Sequence, residues 1–162
     1  LNNACKQLIK MNHIVDGYFR PVAWRGSEMM AISAQRNTIH VAIACWQWPS
    51  YFDPEIKKKG LRLKTAMWKR PAPDTAPVHA KAAGLYMICT LSKHAAENDG
   101  YHDALMLDYR GQVAECTGAN IFFVTKNGEL HTPKADCFLN GITRRTVMDL
   151  AREHQIKVVE RA

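Results

Sequence analysis

The stretch LRLKTAMWK (61–69), PAPDTAP (71–77), AKAAGLYMICTLSKHAAE (80–97), NDG (98–100) and ALML (104–107) sets the fold class. Residues 61–69 alternate apolar and polar side chains well enough for a strand. Pro71, Pro73 and Pro77 then break any regular element, because each fixes its φ and lacks an N–H donor. Residues 80–97 are rich in helix formers and carry Leu85, Ile88, Cys89 and Leu91 on overlapping faces, which predicts a helix. Asn98-Asp99-Gly100 supplies its stop. A strand, a proline loop, a helix and further strands in that order predict an α/β chain with α+β mixing.

Beyond this stretch, residues 104–107, 112–115, 120–124 and 129–131 read as short strands. Tyr109-Arg110-Gly111 and Lys126-Asn127-Gly128 supply turns, the second a hairpin signal. A second helix is predicted from about Ile142 to Glu153, followed by a strand over 156–159 on which the chain ends. Before the stretch, residues 3–11 read as a short helix. Residues 14–24 and 38–48 are aromatic and β-branched and read as strands. Between them Arg25-Gly26-Ser27 predicts a turn and residues 28–32 a helix of one or two turns. Residues 50–60 change character, with Pro49 and Pro54 near the start, three lysines, and Gly60 at the close. They read as an interdomain linker between residues 1–49 and a larger domain over 61–162.

Composition narrows the function classes. With 47% apolar and 23% charged residues over 162 positions, the chain is an ordinary globular one. No apolar run reaches the ~18 residues that a membrane-spanning helix needs. The first residues have no basic head followed by an apolar stretch and a cleavage site, so they do not read as a secretion signal. Five cysteines, odd in number and without C-x-x-C spacing, point away from a disulfide frame or a zinc site and towards a reducing cytoplasm. The net charge of +7 invites a nucleic-acid reading, with its densest run at Lys57, Lys58 and Lys59, continued by Lys64, Lys69 and Arg70. Such runs are more often a solvated linker or helix face, and a basic chain equally attracts a small anionic substrate or cofactor. No nucleic-acid or membrane partner is expected.

Three local patterns bear on chemistry. Lys81 sits at the predicted helix start among small residues, where burial and the positive helix end would disfavour its ammonium form and free the amine for covalent chemistry with a carbonyl. Glu115, at a strand end beside Cys116-Thr117-Gly118, is a carboxylate that can pair with a protonated pyridine nitrogen. Asn140-Gly141-Ile142-Thr143 opens the second helix, where free N–H groups and a hydroxyl form an anion site. Taken singly, each has a plainer reading: a surface lysine, an exposed strand-end acid, and a turn leading into a helix.

Together with the segments around them, these patterns are identified as those of the fold-type IV pyridoxal-phosphate enzymes. The matching segments are GYFRP (17–21), WPSY (48–51), KRPAPDTAP (69–77), KAAGLY (81–86), GQVAECTGANIF (111–122) and LNGITR (139–144). Their order and spacing resemble the branched-chain amino-acid aminotransferase branch. The resemblance implies a two-domain D-amino-acid-aminotransferase-like fold, truncated at both ends. Residues 1–49 are then the remnant of a small N-terminal domain, and 61–162 part of the large cofactor-binding domain. In the family, an arginine gripping the phosphate lies upstream of the region matching Leu1, and a threonine-containing loop completing the phosphate site lies downstream of the region matching Ala162.

Residue by residue, the resemblance implies that Lys81 binds pyridoxal 5'-phosphate covalently and later carries the proton between the substrate Cα and the cofactor C4′. It implies that Glu115 contacts the pyridine nitrogen, that Tyr86 donates to the phenolic oxygen, and that Leu139 lies against the ring. Gly118 and Ala119 would let the backbone approach the ring closely; some relatives carry a glutamate where Ala119 stands. Gly141, Ile142 and Thr143 would hold the phosphate. Tyr18, Arg20, Trp48 and Tyr51 match substrate positions: aromatic walls for leucine, isoleucine or valine, and an arginine for the side-chain carboxylate of glutamate. The implied reaction is amino transfer between a branched-chain amino acid and 2-oxoglutarate in a homodimer. Within the same fold a D-amino-acid aminotransferase or an aminodeoxychorismate lyase is the alternative, since Glu115-Cys116 is similar to the lyase. A non-catalytic basic fragment binding through residues 57–70 is the alternative of another class.

Overall fold

The computed structural model describes residues 1–48 and 50–161. Pro49, which falls inside the WPSY segment and at the 49/50 boundary, and Ala162 lie outside the described residues. The chain divides into two compact units, Leu1–Lys58 and Lys59–Ala162.

In the first unit, helix α1 (Asn2–Met11) is followed by a hairpin of β1 (Tyr18–Arg25) and β2 (Ile39–Trp46). The two strands pair antiparallel from Tyr18↔Trp46 to Arg25↔Ile39 without a break. The helix expected over 28–32 does not form. The 26–38 connection is held instead by Gly26 N–H donating to the Thr38 carbonyl at 2.7 Å, and by the Asn37 amide donating to the Gly26 carbonyl at 2.5 Å. Glu28 folds back so that its carboxylate accepts from Thr38 N–H at 3.3 Å. Met30 and Ile32 are fully exposed, so a helix here would have no surface to bury against, and short helices without packing are marginal in water. Helix α2 (Pro54–Lys59) occupies most of the segment read as a linker.

The second unit carries two three-stranded mixed sheets. In the first, β3 (Leu63–Arg70) runs parallel to β4 (Asp103–Asp108), with a register shift between Thr65 and Lys69, and β5 (Val113–Cys116) adds antiparallel to β4. The crossover from β3 to β4 contains the proline loop, a single 3₁₀ turn (Ala83–Tyr86) and helix α3 (Met87–Asn98), as parallel pairing requires. The helix therefore begins later than the 80–97 reading. Ala82 is extended, at φ −96° and ψ 137°, and Gly84 sits in the tight 3₁₀ turn, a residue whose backbone entropy opposes a continuous α-helix. Gly100 closes α3 at φ +76°, a left-handed conformation that suits glycine. Buried Asp108 shapes the β4–β5 turn by accepting from the N–H groups of Arg110 and Gln112, both at 2.9 Å.

The second sheet holds β6 (Phe123–Val124) antiparallel to β7 (Leu130–Pro133), and β7 parallel to β8 (Val158–Arg161) across helix α4 (Ile142–Glu153). Gly128 turns the β6–β7 hairpin at φ +77°. The core of this unit gathers Val78, Cys89, Ala96, Ala104, Met106, Ala114, Cys137, Phe138 and Met148, with Phe138 packed against Ala114 and Cys137. Arg144, on the inner face of α4, is 1% exposed. It donates to Thr132 Oγ1 (3.3 Å), Asn140 Oδ1 (2.8 Å), the Pro133 carbonyl (2.8 Å) and Glu160 Oε2 (2.7 Å). This set ties the start of α4 to β7 and β8. Among the described residues no helix is long and apolar enough to cross a membrane.

Candidate active site

A cavity of about 130 Å³ opens within the second unit, where the segment before the 3₁₀ turn, the end of β5 and the turn before α4 converge. Lys81 enters it from an exposed, extended segment, not from a helix start. What holds the amine is Tyr86, five residues on across the 3₁₀ turn: Lys81 Nζ donates to the Tyr86 hydroxyl at 2.9 Å and stands 5.5 Å from that ring's centroid. Neither the burial nor the helix end expected from sequence is what positions this lysine.

Glu115 lies opposite, on β5 and paired with Met106 of β4. Its side chain is 12% exposed, and Oε1 sits 3.4 Å from Arg70 Nε. Asn120 Nδ2 donates to Oε2 at 3.3 Å. Burial pushes the Glu115 carboxyl up to about 7, with the positive charges of Arg70 and Lys81 pulling the other way. The group is thus poised between its two forms near neutral pH.

Arg70 corrects the reading of the basic run. Instead of a solvated residue continuing Lys57–Lys59, it is 4% exposed at the end of β3 and lines the cavity. Its Nη1 donates to the Leu85 carbonyl at 3.4 Å and to Cys89 Sγ at 3.5 Å, while Nε makes the ion pair with Glu115 without hydrogen-bond geometry. Burial also pushes the Cys89 thiol up, which Arg70 partly offsets.

The loop after Glu115 is closed by Cys116 N–H donating to the Ala119 carbonyl at 2.7 Å, and anchored by the Thr117 hydroxyl donating to buried Asp103 at 2.5 Å. Gly118, Ala119, Leu139 and Gly141 all line the cavity. Ile142 and Thr143 do not: both face solvent in the first turn of α4. That turn has no side-chain cap, so its first N–H groups are available to an anion.

The four residues read as substrate contacts lie in the first unit. Tyr18 and Arg20 share a face of β1, and the Arg20 guanidinium stands 5.4 Å from the Tyr18 ring centroid. Tyr18, Trp46, Trp48 and Tyr51 form a chain of ring contacts, with centroids 5.2 Å apart for Tyr18–Trp46, 5.8 Å for Trp46–Trp48 and 5.4 Å for Trp48–Tyr51. Trp46 joins this cluster without having been singled out from the sequence, though its period-2 spacing from Trp48 was a usable signal. Arg70, Asn120, Thr117 and Asp103 were missed as well.

The amino-transferase class IV family matches residues 1–162, and the chain belongs to that family. Among its relatives is a protein of Rickettsia conorii named a probable branched-chain-amino-acid aminotransferase, 44% identical over 94% of this chain and 51% of its own length. The branched-chain-amino-acid aminotransferase of Pseudomonas aeruginosa is 37% identical over 99% of this chain and 52% of its own. The crystal structure of the branched-chain amino acid aminotransferase from Thermobaculum terrenum in its PLP form superposes with a TM-score of 0.85 at 31% identity, covering 98% of this chain and 52% of that one. The chain thus spans about half the length of the relatives it matches.

Proposed function

We propose that this chain is the part of a branched-chain amino-acid aminotransferase that carries the lysine-bearing side of a pyridoxal 5'-phosphate site, and that the whole protein exchanges amino groups between leucine, isoleucine or valine and 2-oxoglutarate. The observation that carries the reading is the meeting of Lys81, Tyr86 and Glu115 around one cavity, in a chain of the class IV family. The residues fit the cofactor by chemistry. A ring with an aldehyde, a phenolic oxygen, a basic nitrogen and a phosphate finds an amine, a phenol, a carboxyl titrating near 7 and an uncapped helix start.

When bound, pyridoxal phosphate supplies an electron sink for negative charge developing at the substrate Cα. Lys81 would hold it covalently and, as the free amine, would be the base that moves the proton between the substrate Cα and the cofactor C4′, with Tyr86 fixing where that amine points. Glu115 as carboxylate would hold the ring-nitrogen cation, and that charge would in turn draw Glu115 towards its ionised form. Leu139, Gly118, Ala119 and Gly141 give an apolar, close-fitting wall, while Ile142 and Thr143 would hold the phosphate through N–H groups and a hydroxyl at the start of α4. Tyr18, Trp48 and Tyr51 take the aliphatic side chain, and Arg20 the side-chain carboxylate of glutamate.

We place residues 1–49 in a small domain, 50–60 in the linker and 61–162 in the large domain of the whole protein. It works as a homodimer in the cytoplasm on small amino and 2-oxo acids; the family resemblance and five free cysteines support this. The test is amino exchange by the whole protein carrying this chain, loaded with pyridoxal phosphate and given L-leucine and 2-oxoglutarate. Glutamate formation is expected. Exchange with D-amino acids alone, or lyase activity without exchange, would replace the reading with one of the two same-fold alternatives.

A further inference from the structure

Gly141 has no backbone reason to be glycine. Its φ of −57° and ψ of 147° are open to any L-residue, yet a Cβ built there would collide with Asn120 Oδ1, while the next nearest atom outside Asn120 is Arg144 Cβ at 3.9 Å. The obstacle is thus one side chain. That side chain is not free to swing away, because its Nδ2 donates to the Leu139 carbonyl at 3.1 Å and to Glu115 Oε2 at 3.3 Å. The opposite amide orientation would set Oδ1 against a carbonyl and a carboxylate, so the polar partners fix which end faces Gly141. Glu115 meanwhile is held at both oxygens, Oε1 by Arg70 at 3.4 Å and Oε2 by Asn120.

We propose that Asn120 is a positioning residue that orients the Glu115 carboxylate and locks it to the Leu139–Gly141 turn, and that position 141 is glycine because Asn120 fills the space of its Cβ. The two sides of the cavity, one bearing the carboxylate and the other leading into α4, are thereby set relative to one another by a single amide. Its relevance to cofactor binding rests on the proposed function above; the clasp itself does not.

The test is a cycle of four proteins: the parent chain, Asn120→Ala, Gly141→Ala and the double variant, with Asn120→Ser taking the place of Asn120→Ala should the alanine variant not fold. Two readouts use the unloaded chain. Gly141→Ala is expected to lower the folding equilibrium constant roughly tenfold in the parent and by less than about twofold in the Asn120→Ala background, a coupling typical of residues in contact. The Glu115 carboxyl midpoint, followed by carbon NMR against pH, is expected to move upward in Asn120→Ala, since loss of an N–H donor disfavours the anion; a merely space-filling asparagine would leave it in place. Equal costs of Gly141→Ala in both backgrounds, or an unmoved Glu115 midpoint, would overturn the proposal. A third readout is pyridoxal phosphate affinity, expected to fall in each single variant and to show the same coupling. Failure of the parent itself to take up pyridoxal phosphate would sink the cofactor reading, while the two unloaded readouts still decide the clasp.

Discussion

The two units hold their candidate residues by different physics. In the second, each polar group at the cavity is fixed by another: Lys81 by Tyr86, Glu115 by Arg70 and Asn120, and Thr117 by Asp103. Most of these groups are shielded from water, so losing a partner leaves an uncompensated cost of desolvation. In the first unit, the residues proposed to meet substrate hold one another by ring contacts on and just beyond the hairpin, and Tyr51 is 71% exposed. Exposed aromatic contacts tolerate rearrangement. The residues proposed for the cofactor are thus preorganised by the chain itself, whereas those proposed for the substrate form adaptable surfaces.

The contrast breaks if core truncation costs the same in both units. Phe138→Ala, in the buried cluster with Ala114 and Cys137, is expected to lose about 3–5 kcal/mol of unfolding free energy in urea, while Val22→Ala on the exposed hairpin is expected to lose less than about 1 kcal/mol. Arg144→Ala removes the donor to Thr132, Asn140, Pro133 and Glu160 and should cost about 3 kcal/mol, because it leaves buried acceptors without partners.

Glu115 sharpens the comparison through pH. Its pKa is raised from 4.5 to about 7 in the folded chain, so its stabilising contribution is full below about 4.5 and is lost as pH rises through about 7. The parent should lose up to roughly 3 kcal/mol of stability across that window. Glu115→Gln, which mimics the protonated form, should flatten the dependence, a difference read from urea midpoints at pH 5 and pH 8. The smallest expected effect is Tyr86→Phe. Losing one hydroxyl hydrogen bond should weaken retained pyridoxal phosphate by about threefold to tenfold with little change in unfolding.

Elements with strong local signals were legible in the sequence. Helix α4 runs over Ile142–Glu153, the bounds expected from the sequence, and Lys126-Asn127-Gly128 does turn a hairpin between β6 and β7. The errors fall where tertiary contacts decide. Residues 28–32 have helical composition but no surface to pack on, and residues 80–86 have the propensity of a helix but are drawn into an extended segment and a 3₁₀ turn. The fold class and family were readable because motif order survives along the chain. Arg70 was misjudged because its burial depends on α3 and Glu115, distant in sequence, and Asn120 was passed over because its partners lie at Leu139 and Gly141.

Under the proposed function Lys81 is the one lysine of this chain committed to the cofactor. The decisive measurement is to treat the chain with pyridoxal phosphate, reduce with borohydride, and locate the phosphopyridoxyl group by peptide mass spectrometry. The expected result is a single adduct on Lys81, lost in Lys81→Ala. Label spread over Lys57, Lys58 and Lys59, or unchanged labelling in the variant, would contradict it.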